Sequence, residues 1–203
     1  MSNGVTINSE LERQLKEVKE KYPAVREYID KYLTRDPLTG LYSRGIFDDE
    51  IKRTLAESKR IEGPLSLIML DLDNFKPYND IFGHIEGDKA LKRVAEIIQN
   101  SLLRQTDIPC RYGGDEFGII LPHYLDGENS PEKGSIIVAS RILNDIRADE
   151  LLRRNQEKPI TASIGIATTY GNIDPENFKK RADSALYAIK QKMGGNGILH
   201  YMK

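Results

Sequence analysis

The feature that most constrains the fold is an alternation of helical and strand-length segments after residue 45. Apolar residues at helical spacing predict helices, and short apolar runs predict buried strands. The predicted helices are 47–60, 89–103, 134–152 and 175–192, and the predicted strands are 65–72, 160–169 and 198–201. The stretch RYGGDEFGII at 111–120 predicts a β-hairpin, because Gly113 and Gly114 suit the turn between antiparallel strands. Together these elements indicate an α/β (α+β) domain in which helices flank a mixed, mainly antiparallel sheet.

Composition excludes several classes of function. The chain of 203 residues can bury one sizeable core, and its net charge of −1 argues against a nucleic-acid partner. Cys110 is the only cysteine, which excludes an internal disulfide and a zinc site of several thiolates. No apolar stretch approaches the roughly 20 residues of a membrane span, and residues 1–10 lack a signal-peptide pattern. We therefore expect a cytoplasmic protein without a membrane span.

The N-terminal segment carries a heptad pattern. Its apolar residues recur at steps of 4 and 3 and are Leu11, Leu15, Val18, Tyr22, Val25, Ile29 and Tyr32. The pattern predicts a helical arm over residues 1–33, kinked or broken at Pro23, before a domain over 34–203. Two interpretations stay open: a dimerising coiled-coil stalk, or an amphipathic helix packed on its own domain.

Acidic residues follow both the strand at 65–72 and the hairpin turn. Asp71 and Asp73 lie two positions apart and so on one face of an extended strand. If this strand lies beside the hairpin, Asp71 and Asp115 converge, and their oxygens suit Mg²⁺ shared with the phosphates of a nucleotide. Taken alone, the acids at 71 and 73 would more often be solvated groups that cap the next helix.

The segment after these acids offers groups for the rest of a nucleotide. Asn74, Phe75 and Lys76 lead into a helix whose free N–H groups can bind an anion, and Lys76 adds a positive charge. Asn79 and Asp88 follow, and a carboxylate there can accept two hydrogen bonds from the N–H and NH₂ edge of guanine. Adenine presents no such pair of donors, so an acid at this place selects guanine.

Five blocks of sequence together resemble the GGDEF family of diguanylate cyclases. They are DPLTGLYSR at 36–44, DLDNFKPYNDIFGHIEGD at 71–88, RYGGDEF at 111–117, ASIGIA at 162–167 and RADSALYAIK at 181–190. The resemblance covers residues 34–203. It implies an enzyme that joins two GTP molecules into cyclic di-GMP and releases two pyrophosphates, on a fold similar to the palm of polymerases and of class III nucleotide cyclases.

The resemblance also implies roles for individual residues. Asp71, the carbonyl of Leu72 and Asp115 would hold Mg²⁺ or Mn²⁺, and Asp115, or else Glu116, would take the proton of the ribose 3′-hydroxyl. Lys76 would hold phosphates beside these groups.

The remaining substrate-binding roles fall on residues around this centre. Asn79 and Asp88 would read guanine, and Lys190 would hold phosphates. Phe75 belongs to the same substrate-binding group, and the pair Gly113 and Gly114 lets the backbone approach the nucleotide without a Cβ in the way.

Two further features follow from the resemblance. One domain binds one GTP, so two domains must face each other in an antiparallel homodimer, and the helical arm would raise their effective concentration. RQTD at 104–107 matches the RxxD motif of product inhibition. Arg104 and Asp107, with Arg141 as a third contact, would bind cyclic di-GMP and inhibit the enzyme.

One stretch departs from the family pattern. KMGGNG at 192–197 stands where the family has GRN, so a phosphate-binding arginine is missing and Lys192 is the candidate to replace it.

Two other functions stay open from sequence. One is a catalytically silent receptor for GTP or cyclic di-GMP, against which the intact Asp71, Asp115 and Glu116 argue. The other is an enzyme that also accepts ATP and makes mixed cyclic dinucleotides, against which Asp88 argues.

Overall fold

The computed structural model describes residues 13, 14, 16–18, 20–25, 34–102, 104–122 and 131–201. Its elements after residue 40 are β1 (Tyr42–Ser43), α1 (Arg44–Ile61), β2 (Leu65–Asp73), α2 (Phe75–Phe82), α3 (His84–Ser101), β3 (Ile108–Gly113), β4 (Glu116–Pro122), α4 (Pro131–Ala148), β5 (Thr161–Thr169), α5 (Pro175–Met193) and β6 (Gly197–His200).

The strands form one sheet in the order β1-β3-β4-β2-β5-β6. The strand β2 pairs antiparallel with both β4 and β5, and β3 pairs antiparallel with β4. The outer pairs, β1 with β3 and β5 with β6, are parallel. The predicted mixed and mainly antiparallel sheet flanked by helices is therefore confirmed.

The strand β2 is buried on both faces, which explains its continuous apolar sequence. Ile68 and Leu70 belong to a hydrophobic cluster with residues of α3 and α4, while Leu67 and Met69 belong to a second cluster with residues of α1 and α5. Successive residues of a strand point to opposite faces, so β2 supplies both cores at once. Helices on both sides of the sheet thus fix the position of its central strand.

The helix α5 lies close against the strand β5. A Cβ atom placed on Gly165 would lie 2.2 Å from the carbonyl oxygen of Ala182 and 2.4 Å from the amide nitrogen of Leu186. Backbone atoms cannot move aside as side chains do, so only glycine permits this approach. The close packing holds the C-terminal end of α5, which carries Lys190, near the end of β2.

Several predicted boundaries differ from those observed. The segment 71–88 is largely helical, because α2 occupies 75–82 and α3 begins at His84 rather than at 89. The two helices meet at Gly83, whose φ of +83° ends one helix and begins the next without a loop. The helix α4 begins three residues before the predicted start, and the short strand β1 was not predicted.

The hairpin turn lies one residue beyond its predicted place. Gly113 ends β3 and pairs with Glu116 after a register shift that begins at Arg111. The turn is therefore Gly114–Asp115, and of the two glycines only Gly114 has a positive φ, at +55°. The irregular pairing makes room for the extra residue.

The N-terminal arm is described in part. Residues 13, 14, 16–18, 20, 21 and 23–25 are helical, and Tyr22, directly before Pro23, is not. Val18, Tyr22 and Val25 are exposed, and the other heptad residues, Leu11, Leu15, Ile29 and Tyr32, lie outside the described residues. In the described parts of the chain, no helix combines the length and apolar character needed to cross a bilayer.

Candidate active site

An acidic group forms where β2 and β4 meet at one end of the sheet. Asp71 of β2 stands opposite Glu116 of β4 in the strand register. One residue further, the amide of Leu72 donates a hydrogen bond of 3.2 Å to the carbonyl oxygen of Asp115. The structure therefore brings together the four residues predicted to surround the metal and the reacting hydroxyl.

Lys190 of α5 reaches into this acidic group. Its Nζ lies 2.5 Å from Oδ1 of Asp71, whose side chain is 15% exposed. Burial raises the pKa of Asp71, and repulsion from Asp115 and Glu116 raises it further. The hydrogen bond and the charge of Lys190 lower it, but the net shift of the pKa is upward. The ionised Asp71 thus needs positive charge beside it, which Lys190 supplies.

The donor set at this place fits a divalent cation that is shared with a nucleotide. Across the residues that the structure describes, no three acidic, histidine or cysteine side chains are placed to hold a metal by themselves. Asp71, Asp115 and the carbonyl of Leu72 are hard oxygen donors, and Mg²⁺ in proteins commonly takes one or two carboxylates together with substrate phosphates. The ammonium of Lys190 on Asp71 marks a position where a cation is favoured.

Asp73, the second acid of β2, holds the C-terminal turn instead. Its carboxylate accepts hydrogen bonds from Oγ1 of Thr161 at 2.9 Å, Oγ of Ser163 at 2.8 Å and the amide of Asn196 at 2.8 Å. These donors satisfy the carboxylate, so Asp71 alone of the two acids contributes to the acidic group.

The departure from the family pattern at 192–197 forms this same turn. Arg147 of α4 donates to Oδ1 and to the carbonyl oxygen of Asn196, each at 2.7 Å. A Cβ on Gly195 would lie 2.7 Å from Oδ1 of Asp73, so the turn fits closely over that carboxylate. Lys192 is exposed in the last turn of α5, two residues after Lys190.

Asn79 and Asp88, the predicted guanine-reading pair, lie on either side of the α2–α3 junction. A Cβ on Gly87 would lie 1.7 Å from Oδ1 of Asn79, so the Asn79 side chain fits against this glycine, next to Asp88. The Oδ1 atom is buried and has no hydrogen-bond partner among the described residues. An unpaired buried acceptor costs about 1–3 kcal/mol, so the close packing of Asn79 against Gly87 is maintained at the expense of this bond.

Phe75 and Lys76 form the first turn of α2. Asn74 precedes them with a φ of +63° and makes no side-chain cap to the helix, so the first amides stay available to an anion. Lys76 is exposed beside them, whereas Phe75 packs partly against the hydrophobic core. Gly113 and Gly114 are exposed at the hairpin.

The hairpin is braced by Arg111, which the sequence reasoning missed. Its Nε and Nη2 donate to the carbonyl oxygen of Gly114 at 3.0 and 2.8 Å, and its Nη1 lies 3.3 Å from both carboxylate oxygens of Asp36. Burial disfavours the ionised Asp36, but hydrogen bonds from Thr39 and the guanidinium of Arg111 outweigh it and lower the pKa of Asp36. The turn that follows the N-terminal arm is thereby tied to the hairpin.

The three residues of the predicted inhibitory site lie at the other end of β3. The amide of Arg104 donates to Oδ2 of Asp107, and the amide of Asp107 to the carbonyl oxygen of Arg104, both at 3.2 Å. Arg141 of α4 donates to the carbonyl oxygen of Ser101 at 3.0 Å. Five residue steps of β3 separate this turn from the hairpin, a distance of about 17 Å.

Comparison with known proteins identifies the family. A family model described as the diguanylate cyclase GGDEF domain matches residues 33–196. The chain belongs to the GGDEF-domain family, as its sequence blocks predicted.

Curated relatives are longer than this chain. The diguanylate cyclase DgcP of Pseudomonas aeruginosa is 38% identical over 156 residues, which are 77% of this chain and 22% of DgcP. The diguanylate cyclase DosC of Escherichia coli is 35% identical over 158 residues, 77% of this chain and 33% of DosC. The matched part thus makes up about a fifth to a third of these relatives.

Solved structures share the fold. The GGDEF domain of DgcB from Caulobacter crescentus in complex with c-di-GMP has a TM-score of 0.72 at 32% identity, over 83% of this chain and 95% of that one. The structure of the coiled coil and GGDEF domain of DgcB, also in complex with c-di-GMP, has a TM-score of 0.76 at 30% identity, over 94% of this chain and 98% of that one. The predicted palm-like architecture agrees with these neighbours.

The raised pKa of Asp71 predicts that this acid destabilises the metal-free protein. A carboxyl whose pKa rises on folding stabilises the folded state less as the pH increases through that pKa. We expect Asp71→Asn to raise the midpoint of thermal unfolding by a few degrees at pH 7 in EDTA, and this gain to shrink as the pH is lowered toward 3.8, the ordinary pKa of the group.

The control for this measurement is Asp145→Asn, which removes an exposed acid of α4 remote from Asp71. We expect it to leave the midpoint within about 1 °C, since surface substitutions of this kind change stability little. A lower midpoint for Asp71→Asn at pH 7 would show instead that the ion pair with Lys190 outweighs burial.

Proposed function

We propose that this chain is a diguanylate cyclase that condenses two GTP molecules into cyclic di-GMP and two pyrophosphates. The observation that carries the proposal is the convergence of Asp71 with Asp115 and Glu116 at the end of β2, with Lys190 beside them. Acids that crowd around one point and a lysine in reach of it are suited to a metal–triphosphate complex. Membership of the GGDEF family supports the same reaction.

Each group in this arrangement has a role in the proposed reaction. Asp71, Asp115 and the carbonyl of Leu72 would hold Mg²⁺ or Mn²⁺, which when bound polarises the α-phosphate and lowers the pKa of the ribose 3′-hydroxyl. Asp115 accepts the proton of that hydroxyl, with Glu116 as the second candidate. Lys190 exchanges its contact with Asp71 for the phosphates, which Lys76 and the first amides of α2 also bind.

Guanine recognition completes the substrate site. Asp88 accepts hydrogen bonds from the N–H and NH₂ edge of guanine, and Asn79, whose side chain lies against Gly87 next to Asp88, is the second residue that reads the base. Adenine offers no equivalent donors, so ATP leaves these acceptors unpaired. The proposal therefore includes selectivity for GTP over ATP.

Two chains are needed for one product. Each site holds one GTP, and each 3′-hydroxyl attacks the α-phosphate held by the partner, so the sites face each other across a twofold axis. We propose that residues 1–33 form the stalk that holds the two copies together. The exposure of Val18, Tyr22 and Val25, three heptad residues of one chain, supports such a pairing, as does the similarity to a DgcB structure with a coiled coil.

The RxxD turn supports feedback by the product. Arg104 is exposed and Asp107 lies beside it in a turn closed by two mutual hydrogen bonds, about 17 Å from the hairpin. Arg141 comes close to the same end of α3 through its bond to Ser101. We propose that these residues bind cyclic di-GMP at a site separate from the catalytic one.

A product assay tests the proposed reaction. With Mg²⁺ and GTP the chain should form cyclic di-GMP, identified by mass, and ATP alone should give no cyclic product. Asp71→Asn should lower the rate about 100-fold or more, because it removes a ligand of the metal that would stabilise the negative charge of the transition state, while Asp145→Asn should match the wild type. Absence of product from the wild type would favour a silent receptor, and mixed dinucleotides from GTP plus ATP would contradict the selectivity.

Product inhibition is tested at Arg104. We expect Arg104→Ala to raise the cyclic di-GMP concentration needed for half-inhibition about 10-fold or more, since hydrogen bonds to a charged group are lost, while initial rates stay unchanged. Gln105→Ala, in the same exposed turn, serves as the matched variant and should keep the inhibition. Equal sensitivity to cyclic di-GMP in Arg104→Ala and Gln105→Ala would argue against a role of Arg104 in product inhibition.

A further inference from the structure

The segment 149–160 lies against α2 and α3, the helices that carry Asn79 and Asp88, and the proposed reaction assigns it no role. At the start of α2, Nδ2 of Asn74 donates to the carbonyl oxygen of Pro159 at 3.0 Å. In the middle of α2, the hydroxyl of Tyr78 reaches the carbonyl oxygen of Leu151 at 3.5 Å. The segment therefore follows α2 along its length.

The same segment is also tied to α3. Arg93 donates to Oδ2 of Asp149 at 2.6 Å. The other oxygen of Asp149 accepts the amides of Leu151 and Leu152 at 3.1 and 3.2 Å, which fixes the beginning of the segment. One end of residues 149–160 is thus anchored on α3 and the other on the start of α2.

Arg154, in the middle of this segment, contacts both helices where they meet. Its guanidinium carbon lies 4.6 Å from the centre of the Phe82 ring, on the last residue of α2. Its Nη1 lies 3.1 Å from Oε2 of Glu86, in the first turn of α3. One planar guanidinium therefore spans the junction, stacked on one helix and paired with the other.

The junction that Arg154 spans is a single glycine. Gly83 alone separates α2 from α3, and its φ of +83° is a conformation that glycine adopts without strain. Glycine also leaves other conformations open, so contacts across the junction must hold the angle between the helices. The stacked and paired guanidinium supplies such a contact from outside both helices.

The angle between these helices sets the geometry of the guanine-reading pair. Phe82 follows Asn79 by three residues on α2, and Glu86 precedes Asp88 by two on α3. Asn79 fits against Gly87 so closely that a side chain at 87 would displace that of Asn79. A small rotation at Gly83 would therefore separate Asn79 from Asp88.

We propose that Arg154 is a positioning residue that fixes the α2–α3 junction and thereby the guanine selectivity of the site. The inference rests on the proposed function, because it takes Asn79 and Asp88 as the groups that read guanine. Arg154 acts through Phe82 and Glu86 and does not itself contact the nucleotide.

Binding of two nucleotides that differ only in the base tests this role. The probes are the α,β-methylene analogues of GTP and ITP, titrated calorimetrically into the full chain with Mg²⁺. Inosine lacks the 2-amino group of guanine, so the ratio of the two affinities measures the reading of that edge. Arg154→Ala should weaken the affinity for the GTP analogue about 5-fold and keep the affinity for the ITP analogue within about 2-fold of the wild type.

The matched control is Arg153→Ala, which removes the same charge from the neighbouring exposed residue and should leave both affinities unchanged. Arg154→Lys keeps the charge opposite Glu86 but loses the planar stack on Phe82, so its affinity ratio should fall between those of wild type and Arg154→Ala. Should Arg154→Ala fail to fold, Glu86→Gln weakens the same bridge from α3, together with the Glu86–Lys89 ion pair within that helix, and should narrow the ratio of the two affinities in the same direction.

Two outcomes would overturn the inference. Equal weakening of both analogues in Arg154→Ala would show that Arg154 supports binding without affecting the reading of the base, and unchanged affinities for both would deny it any role in the site. Asp88→Ala separates this inference from the proposed function. A lost preference in Asp88→Ala with a normal ratio in Arg154→Ala would reject the role of Arg154 alone, whereas an unchanged preference in Asp88→Ala would reject the guanine-reading assignment and this inference with it.

Discussion

The register between β2 and β4 is the constraint on which the candidate site depends. It sets Asp71 opposite Glu116 and the amide of Leu72 against the carbonyl of Asp115, so residues 43 to 45 positions apart in the chain meet at one point. A slip of one residue would turn Asp71 to the other face of the sheet. Apolar side chains of β2 enter separate cores on its two faces, which makes such a slip costly because it would exchange those two sets.

This register concentrates negative charge where burial opposes it. The pKa of Asp71 is raised by burial, with repulsion from Asp115 and Glu116 acting in the same direction, although Lys190 opposes both. Around this unfavourable centre, satisfied bonds hold the framework: Asp73 fixes the C-terminal turn, and Arg111 joins the hairpin to Asp36. Strain of this kind is expected where a site is built to receive a cation and phosphates.

Much of the fold and of the site could be predicted from sequence because the signals are local. The apolar run before Asp71 and the glycines before Asp115 mark a strand end and a hairpin by composition alone. The missed features join distant residues: Arg111 meets Asp36 across 75 positions, and Arg154 meets Glu86 across 68. No periodicity encodes such pairs. The junction at Gly83 was missed for a different reason, since its glycine and polar neighbours suggest a loop where two helices meet.

The central claim is that Asp71 and Asp115 share one divalent cation with a bound nucleotide. Electron paramagnetic resonance of Mn²⁺ titrated into the protein with α,β-methylene GTP measures this directly, because bound Mn²⁺ loses the spectrum of the free ion. We expect the wild type to bind Mn²⁺ in the presence of the nucleotide, and Asp71→Asn and Asp115→Asn each to weaken that binding about 10-fold or more. Wild-type affinity in both variants would contradict the account.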